Sequence, residues 1–300
     1  MTSEIDDKTA GDIGKRIAGI HRDIGYRDGA VNLADVRDTL KLDLRYYSAE
    51  STDLVDEVAH RLRLGAKRLM DNPAALIDVV KKFDLRALYI PAKKRILIDQ
   101  GIPDLKKRWS EGHEITHSAL PWHREYMFGD DKHTLSPVHH EEIESEANFG
   151  AGKLLFPAKR FAKVCGDCNP TFSEIKKVAD HFGNTITTTF WRFVEGQTVA
   201  AFGLVSEHPL RPKAGEPAVS AFIKSPRFRV EFPAIREGAL FTQIARYCSR
   251  NRAGPLGEAE LVLIDDNGER YCFDLESFSN GYKVLTIGIC RGPVADTVPV

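Results

Sequence analysis

No apolar run approaches the roughly 18 residues needed to cross a bilayer, so nothing in the 300-residue sequence predicts a membrane span. The first thirty residues, MTSEIDDKTAGDIGKRIAGIHRDIGYRDGA, have no apolar core and carry charge throughout. That excludes a secretory signal and predicts a cytoplasmic protein. An excess of charge of one sign is also missing. The 42 Lys and Arg face 43 Asp and Glu, a formal net charge of -1, which argues against a polyelectrolyte role such as coating nucleic acid. Cysteines are few and odd in number: Cys165, Cys168, Cys248, Cys272 and Cys290. Disulfide frameworks are denser and even-numbered, so reduced thiols are expected. Cys165-Gly-Asp-Cys168 has the spacing of a redox pair or half a zinc site, but no second pair exists to complete a four-cysteine site. Neither an internal repeat nor a low-complexity segment occurs.

What remains is an ordinary globular composition, 42% hydrophobic and 28% charged, in a chain long enough for two domains. Residues 1–30 are polar and interrupted by glycine, with a short amphipathic stretch at most. Asn32 is a plausible cap for a helix carrying Leu33, Val36 and Leu40 on one face. Leu42–Tyr47 alternates like a strand, and helices are expected at 53–70 and 73–83. Residues 85–90 and 95–98 read as neighbouring strands around Pro91-Ala-Lys-Lys94. A helix follows from Asp104 to Leu120, then a loop over 122–140 and a second long helix from Glu141 to Leu155. Residues 171–195 have a helix-turn-helix rhythm whose apolar content suits core packing against the preceding helices better than DNA reading. Beyond about Gln197 the chain turns β-rich, with strands expected at 199–206, 218–224, 227–232, 260–264, 270–274 and 283–289. Asp265-Asp-Asn-Gly268 marks a hairpin.

The strongest local signal is His113-Glu114-Ile115-Thr116-His117. On a helix, residues four apart share a face, so both imidazoles can reach one metal ion at about 2.0–2.1 Å. Glu114 lies roughly 100° around the helix from His113, where its carboxylate can lean over the metal without ligating it. A bound metal acidifies water, and a neighbouring carboxylate takes the proton as that water attacks a carbonyl. This is the H-E-x-x-H pattern.

Two positions compete as third ligand. His123 follows His117 by six residues, the metzincin interval, but Leu120 and Pro121 stand where that scheme turns on a glycine. The three methionines, Met1, Met70 and Met127, leave none far downstream for a Met-turn. The other position lies in Glu144-Ser-Glu-Ala-Asn-Phe-Gly-Ala-Gly-Lys-Leu-Leu-Phe-Pro157. A carboxylate from that helix completes a His₂Glu site and leaves the fourth position for water. Asn148, four residues after Glu144, can orient a ligating histidine through a hydrogen bond.

Arg95-Ile-Leu-Ile98, Lys106-Lys-Arg-Trp109 running into His113–His117, and Glu144-x-x-Ala147-Asn148 with Ala151 and Leu154-Leu-Phe-Pro157 together resemble the ImmA/IrrE metallopeptidase family over residues 31–195. The resemblance implies His113, His117 and Glu144 as zinc ligands and Glu114 as general base. Glu146 is the fallback ligand if the register slips by two. Three departures touch packing: Gly150 where the family has Phe, Phe156 where it has Met, and Gly112 where Ala is usual. Gly150 removes an aromatic packing residue and lowers helix propensity.

Among weaker features, His123, His133, His139 or His140, with Tyr126 nearby, are candidates to donate to a developing oxyanion. The strands at 85–90 and 94–98 are candidates to pair with an extended substrate. Nine Lys and Arg against three Glu between Pro209 and Arg252 read as a solvated basic face.

The expectation is therefore an α+β protein: a polar segment at 1–30, a zincin-like catalytic domain at 31–197, and a β-rich domain at 198–300 that senses or binds substrate. Its expected activity is zinc-dependent endopeptidase cleavage with Glu114 as general base. By resemblance alone, the substrate is a partner protein such as a helix-turn-helix repressor. The alternative is a zinc-stabilised sensor or interaction protein without turnover. Direct nucleic-acid binding is not expected.

Overall fold

The computed structural model describes residues 5–47, 87–123, 137–213 and 215–294. The helices expected at 53–70 and 73–83, together with Tyr126 and His133, lie outside them. The chain is α+β and divides into two compact units, Met1–Arg160 with Phe182–Asn184, and Phe161–His181 with Thr185–Val300. The division expected near 197 thus falls at 160/161, because Phe172, Ile175, Phe190, Phe193 and Val194 join the core of the β-rich unit, while Phe182–Asn184 belong to the first unit.

The first unit opens on α1 (Asp7–Asp23), a full helix where the sequence suggested a short amphipathic stretch at most. Asp6 caps it by accepting from the amides of Lys8 and Thr9, and Ile13, Ile17 and Ile20 form the buried stripe. Three isoleucines among charges and glycines are a thin signal, and packing on the rest of the unit makes up for the low propensity. In α2 (Leu33–Leu40), Asn32 is the cap and accepts from the Ala34 amide. Strands β1 (Asp43–Tyr47), β2 (Ala87–Ile90) and β3 (Arg95–Asp99) form a sheet in the order β1-β3-β2. β1 runs parallel to β3, and β2 runs antiparallel to it. β3 is the central strand, with Ile96, Leu97 and Ile98 all buried, so it has no edge to offer a substrate; among the described strands β1 and β2 are the edges.

Two helices complete this unit, α3 (Asp104–Ala119) packed on β2 and β3, and α4 (Pro137–Leu155) packed on α3 and α1. α4 begins four residues before the expected start, so His139 and His140 lie in its first turn rather than in a loop. Arg108 anchors the first half of α3, donating to the Val31 carbonyl at 2.8 Å and to Asn184 Oδ1 at 3.4 Å. The Asn184 amide in turn donates to the Leu155 carbonyl at the end of α4.

The unit boundary falls within α5 (Ala158–Gly166), a helix the sequence did not signal. It is followed by α6 (Phe172–Phe182) and α7 (Ile186–Glu195). Then come β4 (Ala201–Ser206), β5 (Val219–Lys224), α8 (Pro226–Glu231), α9 (Glu237–Tyr247), β6 (Gly254–Ile264), β7 (Arg270–Ser279) and β8 (Val284–Pro293). The sheet is antiparallel in the order β5-β4-β8-β7-β6, with Asp265–Gly268 turning β6 into β7. Phe190, Phe193 and Val194 of α7 bury against Val205, Ile223, Leu285 and Ile287. The alternate residues Phe202 and Leu204 join Phe228, Leu240, Ile244 and Phe273 in a second cluster. Both faces of β4 are therefore covered, and all six of its residues are buried. Segment 226–231 is helical where a strand was expected. Ser225 Oγ accepts from the Phe228 amide, and Pro226 follows at the favoured first helical position.

Candidate metal centre

α3 carries His113 and His117 on one face, and α4 brings a carboxylate up to them. His113 Nε2 and His117 Nε2 lie 3.1 Å apart. Glu144 Oε2 is 3.1 Å from His113 Nε2, and Glu144 Oε1 is 3.6 Å from His117 Nε2. These donors all fall within 4.8 Å of one another. A tetrahedral ion with bonds of about 2.0–2.1 Å needs its donors roughly 3.3 Å apart. Two imidazoles and a carboxylate at this spacing are a donor set that suits zinc.

Two glycines let the helices approach this closely. A Cβ on Gly150 of α4 would stand 2.3 Å from Thr116 Cγ2 of α3, and one on Gly112 would stand 3.2 Å from Leu155 Cδ1. Gly150 is therefore a contact point, and an aromatic ring in its place has no space. The aromatic packing residue whose absence the sequence showed at this position would not fit here.

Glu114 is 6% exposed, one residue round the helix from the ligand face. Burial by itself depresses the His113 imidazole, but Glu144, Glu114 and Asn148 outweigh it and hold the group above its ordinary value. Asn148 Oδ1 meets His113 Nδ1 at 3.1 Å, the orienting contact its spacing from Glu144 suggested. With Nδ1 donating to that carbonyl oxygen, the lone pair of His113 sits on Nε2, facing Glu144 and His117.

No protein-family model matches the chain, and no curated protein matches it. Its fold is similar to the solved structure of a Mycobacterium tuberculosis transcriptional regulator, with a TM-score of 0.50 and 12% identity over 93% of this chain and 88% of that one. At that identity the likeness concerns the fold alone.

His123, the competing ligand, and Glu146, the fallback, stand on the other side of the His117 ring. The turn through Pro121 folds His123 back until its Nδ1 is 2.9 Å from His117 Nδ1, the nitrogen facing away from Glu144. His123 Nε2 lies 2.9 Å from Glu146 Oε2, which also accepts from Trp122 Nε1 at 2.6 Å. Both are thus engaged with each other and outside the converging group of donors. Sequence spacing drew attention to His123 and Glu146 separately; the part Trp122 plays in holding Glu146 was missed.

Further back along α3, Glu111 receives Arg37 Nε at 2.7 Å. Burial pushes the Glu111 carboxyl up, and Arg37 and Arg108 pull it partly back. Away from the site, all five cysteines are free thiols. Burial pushes Cys165 up to about 12, and Cys168 Sγ donates to the Val164 carbonyl, so neither is an activated thiolate. In the basic stretch, Lys213 lies beside Glu207 and Glu216, and Arg227 beside Glu231.

Proposed function

We propose that this chain is a zinc-dependent endopeptidase with a zincin-like core of the ImmA/IrrE kind, built from β1–β3, α3 and α4. One observation carries the reading: His113 Nε2, His117 Nε2 and the Glu144 carboxylate converge from two helices at the spacing of a tetrahedral zinc site. Zinc bound there supplies the Lewis acidity that makes a water acidic near neutral pH. With His113, His117 and Glu144 holding the metal, Glu114 would be placed to accept a proton from an attacking water and to return it to the departing amine. His113 and His117 hold their Nε2 lone pairs inward, and Asn148 keeps the His113 ring from rotating. Burial of Glu114 and His117 keeps competing water away from the proton-transfer path. The substrate in this reading is a partner protein such as a helix-turn-helix repressor; among the described residues no helix is long and apolar enough to cross a membrane.

A second reading draws on the fold-level likeness to the Mycobacterium tuberculosis transcriptional regulator. On it, zinc stabilises a sensor or interaction protein that does not turn over. Two measurements separate the readings. Metal analysis is expected to find about one zinc per chain, lost in Glu144→Ala; no zinc after reconstitution removes both readings. Cleavage of co-expressed candidate repressors is expected from the wild type and abolished in Glu114→Gln, with zinc retained. Regulation of the partner that persists in Glu114→Gln selects the non-enzymatic reading.

A further inference from the structure

His117 and His123 meet through their Nδ1 atoms at 2.9 Å, a contact that needs one hydrogen between two nitrogens. Which ring supplies it follows from the far end. Trp122 Nε1 can only donate, and it donates to Glu146 Oε2 at 2.6 Å. The same oxygen faces His123 Nε2 at 2.9 Å, so the carboxylate accepts there too and His123 carries its hydrogen on Nε2. A neutral His123 then has its lone pair on Nδ1, and His117 must donate from its own Nδ1. The remaining lone pair of His117 lies on Nε2, the nitrogen that faces His113 and Glu144.

We infer that Glu146, His123 and His117 form a positioning relay that fixes the tautomer and the ring orientation of His117, with Trp122 setting its direction by occupying Glu146. Glu146 and His123 are positioning residues, since each acts only through His117. The relay is sheltered: His123 is fully buried, His117 is 2% exposed, and the Glu146 side chain is 16% exposed. Water therefore does not replace a lost partner. His113 is served separately by Asn148, so each imidazole has its own support, one a single amide and the other a two-residue chain. This arrangement also gives the sequence HisxxxxxHis interval a use other than ligation. Carboxylate–histidine support of this kind typically accounts for 10–100-fold in metal affinity.

The relay deepens the zinc-site reading and rests on it for its consequence, but the tautomer is testable without metal. Long-range proton–nitrogen NMR on the metal-free, full-length chain labelled with ¹⁵N-histidine is expected to show His117 protonated on Nδ1 and His123 on Nε2. His123→Leu, which fills the space without an acceptor, is expected to release His117 to a mixture of tautomers. His123→Asn places an acceptor near the lost Nδ1 and is expected to restore the Nδ1–H form in part. In a Co2+ titration, His123→Leu is expected to weaken binding 10–100-fold, with His123→Asn in between. An Nε2–H tautomer of His117 in the wild type, or the same tautomer and Co2+ affinity in His123→Leu, overturns the relay. Should His123→Leu fail to fold, Glu146→Gln decides by the same two readouts, since it keeps the shape and removes the charge. Wild-type protein that shows the expected tautomers but binds no Co2+ refutes the metal site and leaves the relay as a structural contact, so the two failures are distinguishable.

Discussion

Gly150 and Thr116 touch where the two helices of the site cross. A methyl group on Gly150 would lie 2.3 Å from Thr116 Cγ2, well inside contact distance, and 3.3 Å from Ile13 Cγ2 on α1. Three helices thus meet at one glycine, on the helix pair that carries the histidines and Glu144.

Gly150→Ala is accordingly expected to cost about 1–3 kcal/mol by overpacking, despite alanine's better helix propensity. Thr116→Ala, which removes the opposing methyl, should recover much of that loss in a double-mutant cycle followed by urea unfolding. Additive losses in the cycle would show that the contact is not what limits the approach.

Asn148→Ala removes the amide oxygen that meets His113 Nδ1 and orients the ring. Zinc affinity, measured against a competing chelator, is expected to fall about 10–100-fold. Asn148→Asp, which keeps an acceptor at Oδ1, should lose less. Equal losses in both variants would point to a general disturbance of α4.

His21 of α1 lies with Nε2 2.9 Å from the Leu154 carbonyl, tying α1 to the end of α4. Burial pushes its pKa down, and the carbonyl contact offsets this in part. With the folded value below the unfolded one near about 6.5, the unfolded chain binds the proton first. Stability is therefore expected to fall as pH drops below about 6.5 and to level off once the folded form also titrates. His21→Gln should flatten that part of the pH profile, as read by urea midpoints between pH 7.5 and 5. A profile unchanged by the substitution would assign the acid sensitivity elsewhere.

Cys165 and Cys168 have the spacing of a redox pair, yet burial raises both thiols. Alkylation at pH 7 is expected to be slower than for free cysteine and to accelerate only on unfolding. Rapid modification of the native protein at either position would restore the redox interpretation.

Much of the local structure is legible in the sequence. Asn32 announces α2, Pro91–Lys94 separates β2 from β3, and Asp265–Gly268 turns β6 into β7. Each is a short-range signal read from a cap, a turn or a period. The errors arise where burial is supplied from far along the chain. Helix α1 has three buried isoleucines and would be marginal alone. Residues 227–232 alternate enough to pass for a strand, while Ser225 and Pro226 start a helix that buries Phe228 beneath Phe202 and Phe273.

The same division holds at the site. The four-residue interval of His113 and His117 by itself places both rings on one helix face, because an α-helix returns to the same side about every 3.6 residues. Glu144 and Glu146 are a different matter. Both lie on one helix, two residues and roughly 200° apart, so no helix geometry lets both face the histidine pair. Which one does is settled by how α4 docks on α3, and that docking turns on Gly150 against Thr116, an approach set by side-chain volume across 34 residues of chain. Tertiary packing sends Glu144 to the Nε2 side and Glu146 to His123, because sequence determines the faces of a helix while only its neighbours determine where each face points.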